Sequence, residues 1–129
     1  MEEQTYYYKE KLQFETDSFD LAEALKTNSD VVVIDARTAD SFRQEHIPGA
    51  VSLPYREIGS ETLANLDQLK LYVVYSDGFG CHAATKAAYH LSRLGYRVRE
   101  LAGGLEWWKR HGYETNGYKI QNRVPSLGY

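Results

Sequence analysis

Two short runs constrain most strongly what this chain can fold into. Val31-Val-Val-Ile34 and Leu71-Tyr-Val-Val-Tyr75 are continuously apolar and rich in β-branched or aromatic residues. A strand with one wet face alternates polar and apolar positions. An unbroken run signals a strand covered on both faces, as in parallel sheets. Between and after these runs lie segments with helical spacing. Asp17 or Ser18 can cap a helix through Leu25, with Phe19, Ala22 and Leu25 on one face. Thr38 or Asp40 can cap a short helix that ends near His46. Ala83, Ala84, Ala87, Ala88, Leu91 and Leu94 recur at helical spacing and predict a helix over 82–94, ended by Gly95. Strands alternating with helices imply βαβ units. The expected architecture is α/β: a central, mainly parallel five-stranded sheet with helices on both faces.

The remaining elements are weaker. Thr5 to Phe14 fits either a strand, through Tyr6, Tyr8, Leu12 and Phe14, or a helical turn. Ala50 to Leu53 is a short strand stopped by Pro54. Residues 55–68 are polar with scattered leucines and read as a helix with irregular flanks. Arg97 to Leu101 is a strand, Gly103-Gly104 a turn, and Leu105 to His111 a last helix. The segment 112–129 reads as loop, with a short strand at Tyr118-Lys-Ile120. At 129 residues the chain is expected to be one domain, with a core over about 14–112, an N-terminal extension 1–13 and a tail 113–129.

Composition removes several function classes. The net charge of −3 offers no basic field for nucleic acid. No apolar stretch is long enough to span a bilayer. Met1-Glu2-Glu3-Gln4 is too acidic for a signal peptide, so a reducing, cytoplasmic setting is expected. The single cysteine, Cys81, excludes an internal disulfide, and the four histidines lack the H-x-x-x-H spacing of a metal site. No metal or cofactor is expected.

In open parallel sheets chemistry sits beyond the carboxyl ends of the strands. Two segments fall there: Asp35-Ala36-Arg37 and the loop Ser76-Asp77-Gly78-Phe79-Gly80-Cys81-His82. The glycines at 78 and 80 free that loop to aim successive N–H groups inward as an anion-binding nest, which the following helix dipole reinforces. The alternative is a plain strand-to-helix turn. Cys81 stands just before the helix, where the dipole lowers a thiol pKa, and His82 and Lys86 can add positive charge. The structural alternative is a small buried hydrophobe. Asp35 and Arg37 either line the rim of the loop or form a structural ion pair. His46 is read as holding a loop through its ring N–H, Trp108 as core, and Trp107 and Tyr113 as exposed.

Taken in order, Val31-Val-Val-Ile-Asp35-Ala-Arg37, Phe42, His46-Ile-Pro-Gly-Ala50 with Leu53-Pro54, Leu71-Tyr-Val-Val-Tyr75, Thr85-Lys-Ala-Ala88, Leu94-Gly-Tyr96 and Leu101-Ala-Gly-Gly104 with Trp108 resemble a single rhodanese domain. The resemblance spans roughly Phe14 to Gly112. It implies a sulfurtransferase: a loop cysteine accepts sulfane sulfur as a persulfide and passes it to a thiophilic acceptor. The family's nucleophile follows the aromatic residue that ends the strand. Here that position is Ser76, and the loop resembles a Tyr-Cys-x-Gly-x-Gly-Cys variant of which only the second cysteine, Cys81, survives. A serine hydroxyl cannot hold a sulfane sulfur. Phe42 and His46 are preceded by Ser41 and Glu45, where the family pattern has an acid and a glycine. Two functions therefore compete: sulfur transfer with a small sulfur-containing anion or a thiol acceptor, and a non-catalytic module that binds an anion or a protein partner. The phosphatase branch of the same fold needs a Cys-x5-Arg loop, and no arginine lies between Ser76 and Lys86.

Overall fold

The computed structural model describes residues 2–121. A helix, α1 (Glu2–Phe14), leads into an edge strand, β1 (Glu15–Thr16). There follow α2 (Ser18–Thr27), β2 (Val31–Asp35), α3 (Ala39–Gln44), β3 (Val51–Ser52) and a 3-10 turn at Tyr55–Glu57. The second half runs β4 (Leu71–Tyr75), α4 (Ala83–Arg93), β5 (Arg97–Leu101), α5 (Gly104–Arg110) and α6 (Tyr118–Gln121). The five strands form one sheet in the order β1-β5-β4-β2-β3, and every pairing is parallel.

The two apolar runs pair directly, Val31 to Asp35 against Leu71 to Tyr75. They occupy the middle of the sheet, so both faces need cover. Alternate residues feed two cores. Val33, Val73 and Tyr75 pack with Leu21, Ala22, Leu105 and Trp108 of α2 and α5 on one face. Ile34, Tyr72 and Val74 pack with Ala83, Ala84, Ala87 and Leu91 of α4 on the other. The alanines let α4 lie close to the sheet, and each large side chain removed from water contributes roughly 1.5–3 kcal/mol. Layering on both faces thus follows from period-two alternation within runs that look uniform in sequence.

Four expectations change. The ambiguous first segment is helical throughout, with Glu2 and Glu3 in its first turn and Lys11 in its last, as the helix dipole favours. None of its residues is buried. In α2 the cap is Asp17, whose carboxylate accepts from the Asp20 N–H at 2.8 Å. That phase buries Ser18, Leu21 and Ala22, and leaves Phe19 exposed rather than in the core. The helix expected over 55–68 does not form beyond the 3-10 turn. Thr62 Oγ accepts from the Gly59 N–H and donates to the Glu57 carbonyl, and Asp67 accepts from the Leu69 N–H. Such side-chain bonds to nearby backbone compete with a helical ladder. The strand expected at 118–120 is instead the short helix α6, packed on α3. The rest of the expected tail, beyond residue 121, lies outside the described residues. The segment before it is tied down: Trp108 donates to the Glu114 carbonyl, and Asn116 and His46 exchange backbone hydrogen bonds.

Candidate functional site

The carboxyl ends of β2, β3 and β4 meet at one side of the sheet, joined by hydrogen bonds that cross between loops. Ala36 N–H donates to the Tyr75 carbonyl, Leu53 N–H to the Asp35 carbonyl, and Tyr55 N–H to the Ala36 carbonyl. Beneath them lies a buried charge cluster. Asp35 is fully buried. Its carboxylate accepts from the Arg37 N–H at 2.9 Å, from Arg37 Nη2 at 2.7 Å and from the Tyr75 hydroxyl at 2.6 Å. The Tyr75 oxygen in turn accepts from the Ile47 N–H. Burial pushes the Tyr75 hydroxyl well above its ordinary pKa, and the neighbouring Asp35 charge adds to the rise. Burial opposes the charge on Arg37, but hydrogen bonding and attraction to Asp35 outweigh it and raise its pKa.

The same guanidinium reaches outward. Arg37 Nη1 pairs with Asp77 at 3.0 Å, and Nη2 donates to the Glu45 carbonyl at 2.6 Å. Arg37 therefore ties the β4 loop to the end of β2 and to the residue that closes α3. The carbonyls of Ser41 and Glu45, the two residues that depart from the family pattern, thus both accept from Arg37 Nη2. His46 stands apart from this group. Its Nδ1 is 2.6 Å from the Phe42 carbonyl and its ring stacks on Phe42.

The loop after β4 is seated on the start of α5. Leu105 N–H donates to the Ser76 carbonyl at 2.9 Å and Glu106 N–H to the Asp77 carbonyl at 2.8 Å. A trans peptide points its N–H opposite to its C=O. The N–H groups of Asp77 and Gly78 therefore face away from α5. Gly104 makes the seat possible, because a Cβ there would stand 2.4 Å from the Ser76 carbonyl oxygen. The loop then closes by a turn in which Cys81 N–H donates to the Gly78 carbonyl at 3.2 Å. Gly80, at φ +91°, supplies the positive φ that this turn needs at its third position. Cys81 thus spends its N–H within the loop. Among the described residues no acceptor takes the N–H of Asp77, Gly78, Phe79, Gly80 or His82.

Ser76 is buried, and its hydroxyl donates to the Cys81 carbonyl at 3.1 Å. The bond runs to a loop carbonyl and closes the interior of the loop. Cys81 is half-buried and lines an open cleft of about 420 Å³ with Arg37, Thr38, Ser41, Tyr55, Arg56 and Asp77 among its walls. The other loop residues do not converge on that cleft. Phe79 is exposed and meets Trp107 edge-on, Gly78 lies against Glu106, and His82 is exposed. Tyr113 is half-buried against Trp108 rather than exposed.

Tyr55, Arg56 and Glu57 were not foreseen as part of the site. The signal was present: they follow the short strand β3 and Pro54, at the same carboxyl edge of the sheet as the two loops that were singled out. Among the described residues, no group of three or more His, Cys, Asp or Glu side chains is placed to hold a metal ion, and no helix is long and apolar enough to cross a membrane.

The protein is thus a small α/β domain: a parallel five-stranded sheet with helices on both faces and a strand–loop–helix turn beside a cleft at its carboxyl edge. A profile of the rhodanese-like domain matches residues 18–111, and the chain belongs to that family. It is 34% identical over 86 residues to the thiosulfate sulfurtransferase GlpE of Coxiella burnetii, covering 64% of this chain and 75% of that protein. A sulfurtransferase of Allochromatium vinosum is 34% identical over 99 residues, covering 76% and 90%. Among solved structures, a Bacillus halodurans protein superposes with a TM-score of 0.88 at 34% identity, over 98% of this chain and 95% of its own. The rhodanese-like domain of an Anabaena protein superposes with a TM-score of 0.75 at 26% identity, over 87% and 84%.

Proposed function

We propose that this domain handles sulfane sulfur and that Cys81 carries it. The observation that supports this reading most directly is the position of the chain's one thiol, half-buried on the wall of the sheet-edge cleft. The family and its thiosulfate sulfurtransferase members supply the reaction class. In the loading step the Cys81 thiolate attacks the outer sulfur of thiosulfate. The new S–S bond forms as the sulfur–sulfonate bond breaks, and sulfite leaves with the bonding pair. No external oxidant is needed. In the unloading step an acceptor thiolate attacks the outer persulfide sulfur, and Cys81 leaves as thiolate. A reducing compartment such as the cytoplasm would keep the lone thiol available.

A second reading has its own support. Ser76, at the family's nucleophile position, is buried and spends its hydroxyl on the Cys81 carbonyl. That arrangement suits a module that binds an anion or a protein partner without turnover. Incubation with thiosulfate separates the two. Addition of one sulfur atom to the intact protein, lost in Cys81→Ala, is the result expected for a carrier. An unmodified protein supports the binding module. Ser76→Cys is expected to gain thiosulfate-to-cyanide transfer, because the substituted thiol would enter the loop at the family's usual place. A folded Ser76→Cys without activity would mean that the loop geometry does not support transfer.

A further inference from the structure

One wall of the cleft carries charge that neither the ion-pair cluster nor the loop uses. Tyr55 leaves the short strand β3 through Pro54 and lies over the start of α4. Arg56 Nε donates to the Tyr55 hydroxyl at 3.0 Å, and the guanidinium carbon stands 5.5 Å from the ring centroid. Lys86, one turn into α4 and outside the cleft lining, brings its Nζ to 5.0 Å from the same centroid. Two cations thus share one phenol. The hydroxyl is held below its ordinary pKa, first by the hydrogen bond from Arg56 and then, against slight burial, by the Arg56 and Lys86 charges. Among the described residues neither cation is paired with a carboxylate. Arg37, by contrast, is bound by both Asp35 and Asp77.

The other charged groups facing the cleft fix where an anion can sit. Asp77 and Glu57 line it as well. Asp77 is close to Cys81 in the chain and repels a carboxylate from the Arg37 side. Glu57, next to Arg56 in the same turn, offsets one of the two cations on the Tyr55 side, which still leaves a net +1 there (Arg56, Lys86, Glu57) against a net −1 around Arg37 (Arg37, Asp35, Asp77), so an anionic group is favoured at Arg56 and Lys86. The cleft, at about 420 Å³, also far exceeds what thiosulfate fills, since that ion is little larger than a few waters of about 30 Å³ each. It can hold a ligand whose anionic group and sulfur are separate parts of one molecule.

We propose that Tyr55, Arg56 and Lys86 form a specificity wall that selects a carboxylate-bearing small thiol as the acceptor of the sulfur. The inference rests on the sulfur-handling reading for the chemistry, but not for the binding. The carboxylate docks on the two cations, and the thiolate reaches the outer persulfide sulfur on Cys81. One S–S bond forms as another breaks, and no net oxidation occurs.

The test is a charge series of acceptors: mercaptosuccinate, neutral 2-mercaptoethanol and cationic cysteamine. The wild-type domain is expected to prefer mercaptosuccinate. Arg56→Gln and Lys86→Gln should each lower the kcat/KM ratio of mercaptosuccinate to 2-mercaptoethanol by about tenfold, through KM, as loss of one charge-assisted contact does. Arg56→Lys should keep most of the ratio. A ratio unchanged in both Gln variants overturns the proposal and leaves the sulfur chemistry standing. Binding is read separately in Cys81→Ala, which has no thiol, by titrating (methylthio)succinate and following the Tyr55 resonances by NMR. Saturable binding that weakens with Arg56→Gln supports the wall even where no sulfur is transferred. Absence of binding overturns it.

Discussion

The substitution Asp35→Asn puts the charge cluster at the sheet edge to the test. The Asp35 carboxylate has no exposed surface, and it receives the Arg37 N–H, two guanidinium nitrogens and the Tyr75 hydroxyl. Asparagine has nearly the same shape but replaces one acceptor oxygen with an NH2 donor. Whichever way the amide turns, donor meets donor, and Arg37 is left buried with only Asp77 as a carboxylate partner. Breaking a buried pair on one side costs about 3–5 kcal/mol. The total stability of a domain is roughly 5–15 kcal/mol, so the loss is a large fraction of it. At about 3–5 °C per kcal/mol for a chain of this size, Tm should fall by about 10–20 °C. Urea unfolding followed by far-UV circular dichroism and tryptophan fluorescence would give the free energy directly. The partner control is Arg37→Met, alone and combined with Asp35→Asn. With both charges gone, the double variant should be more stable than the summed single losses by more than about 1 kcal/mol. A loss below about 1 kcal/mol in Asp35→Asn, or strict additivity in the double variant, would refute the view that this pair organises the edge.

Three further perturbations probe the same architecture. Tyr75 is protonated more tightly in the folded chain than unfolded, so the stability it adds is intact below about pH 10 and lost as pH rises further. The unfolding free energy of the wild type should therefore drop by an extra ~1.4 kcal/mol per pH unit above about pH 10 relative to Tyr75→Phe, and equal slopes would contradict the assignment. Gly104→Ala places a Cβ 2.4 Å from the Ser76 carbonyl oxygen and 2.9 Å from the Gly78 nitrogen, at φ +57°. It should cost about 2–4 kcal/mol in urea melts and displace the loop, seen as shifted amide resonances at 76–81. Gly80→Ala meets nothing within 4 Å and pays only for φ +91°, so about 1 kcal/mol is expected. Equal losses at the two glycines would show that contact with the loop backbone does not set the cost at Gly104.

The legible parts of the fold are those where local pattern and tertiary packing demand the same thing. Val31–Asp35 and Leu71–Tyr75 needed cover on both faces, and the alanine stripe of α4 was ready-made cover. Where a segment has weak apolar drive, local side-chain chemistry decides instead. Thr62 and Asp67 turned 55–68 into a series of turns, and the Asp17 cap rotated α2 so that Leu21 rather than Phe19 faces inward. At the site, the strand ends at Asp35 and Ser76 were readable because a parallel sheet places its chemistry there. The strand β3 was readable too, but Tyr55 and Arg56 beyond it were missed, because 55–68 read as a helix and not as a turn at the carboxyl edge of the sheet.

The serine at 76 changes what the loop asks of its neighbours. A thiolate at that position would need the N–H groups inside the loop to stabilise its charge. A neutral hydroxyl needs only one acceptor, and it finds the Cys81 carbonyl, 3.1 Å away across the loop. That bond holds the main chain of Cys81 from within the loop. The carboxylate of Asp77, on Arg37, and the carbonyls of Ser76 and Asp77, on α5, hold the first half of the same loop from two other directions. The loop is therefore braced around a buried neutral residue, with Cys81 packed between the α4-side core and the cleft that it lines. On the carrier reading proposed above, Cys81 is the one thiol in the chain that could take the sulfur. Beside the cleft, Arg56 and Lys86 have no carboxylate partner among the described residues, whereas Asp35 and Asp77 already hold the charge of Arg37, so an anion that approaches Cys81 meets unspent positive charge on the Tyr55 side alone.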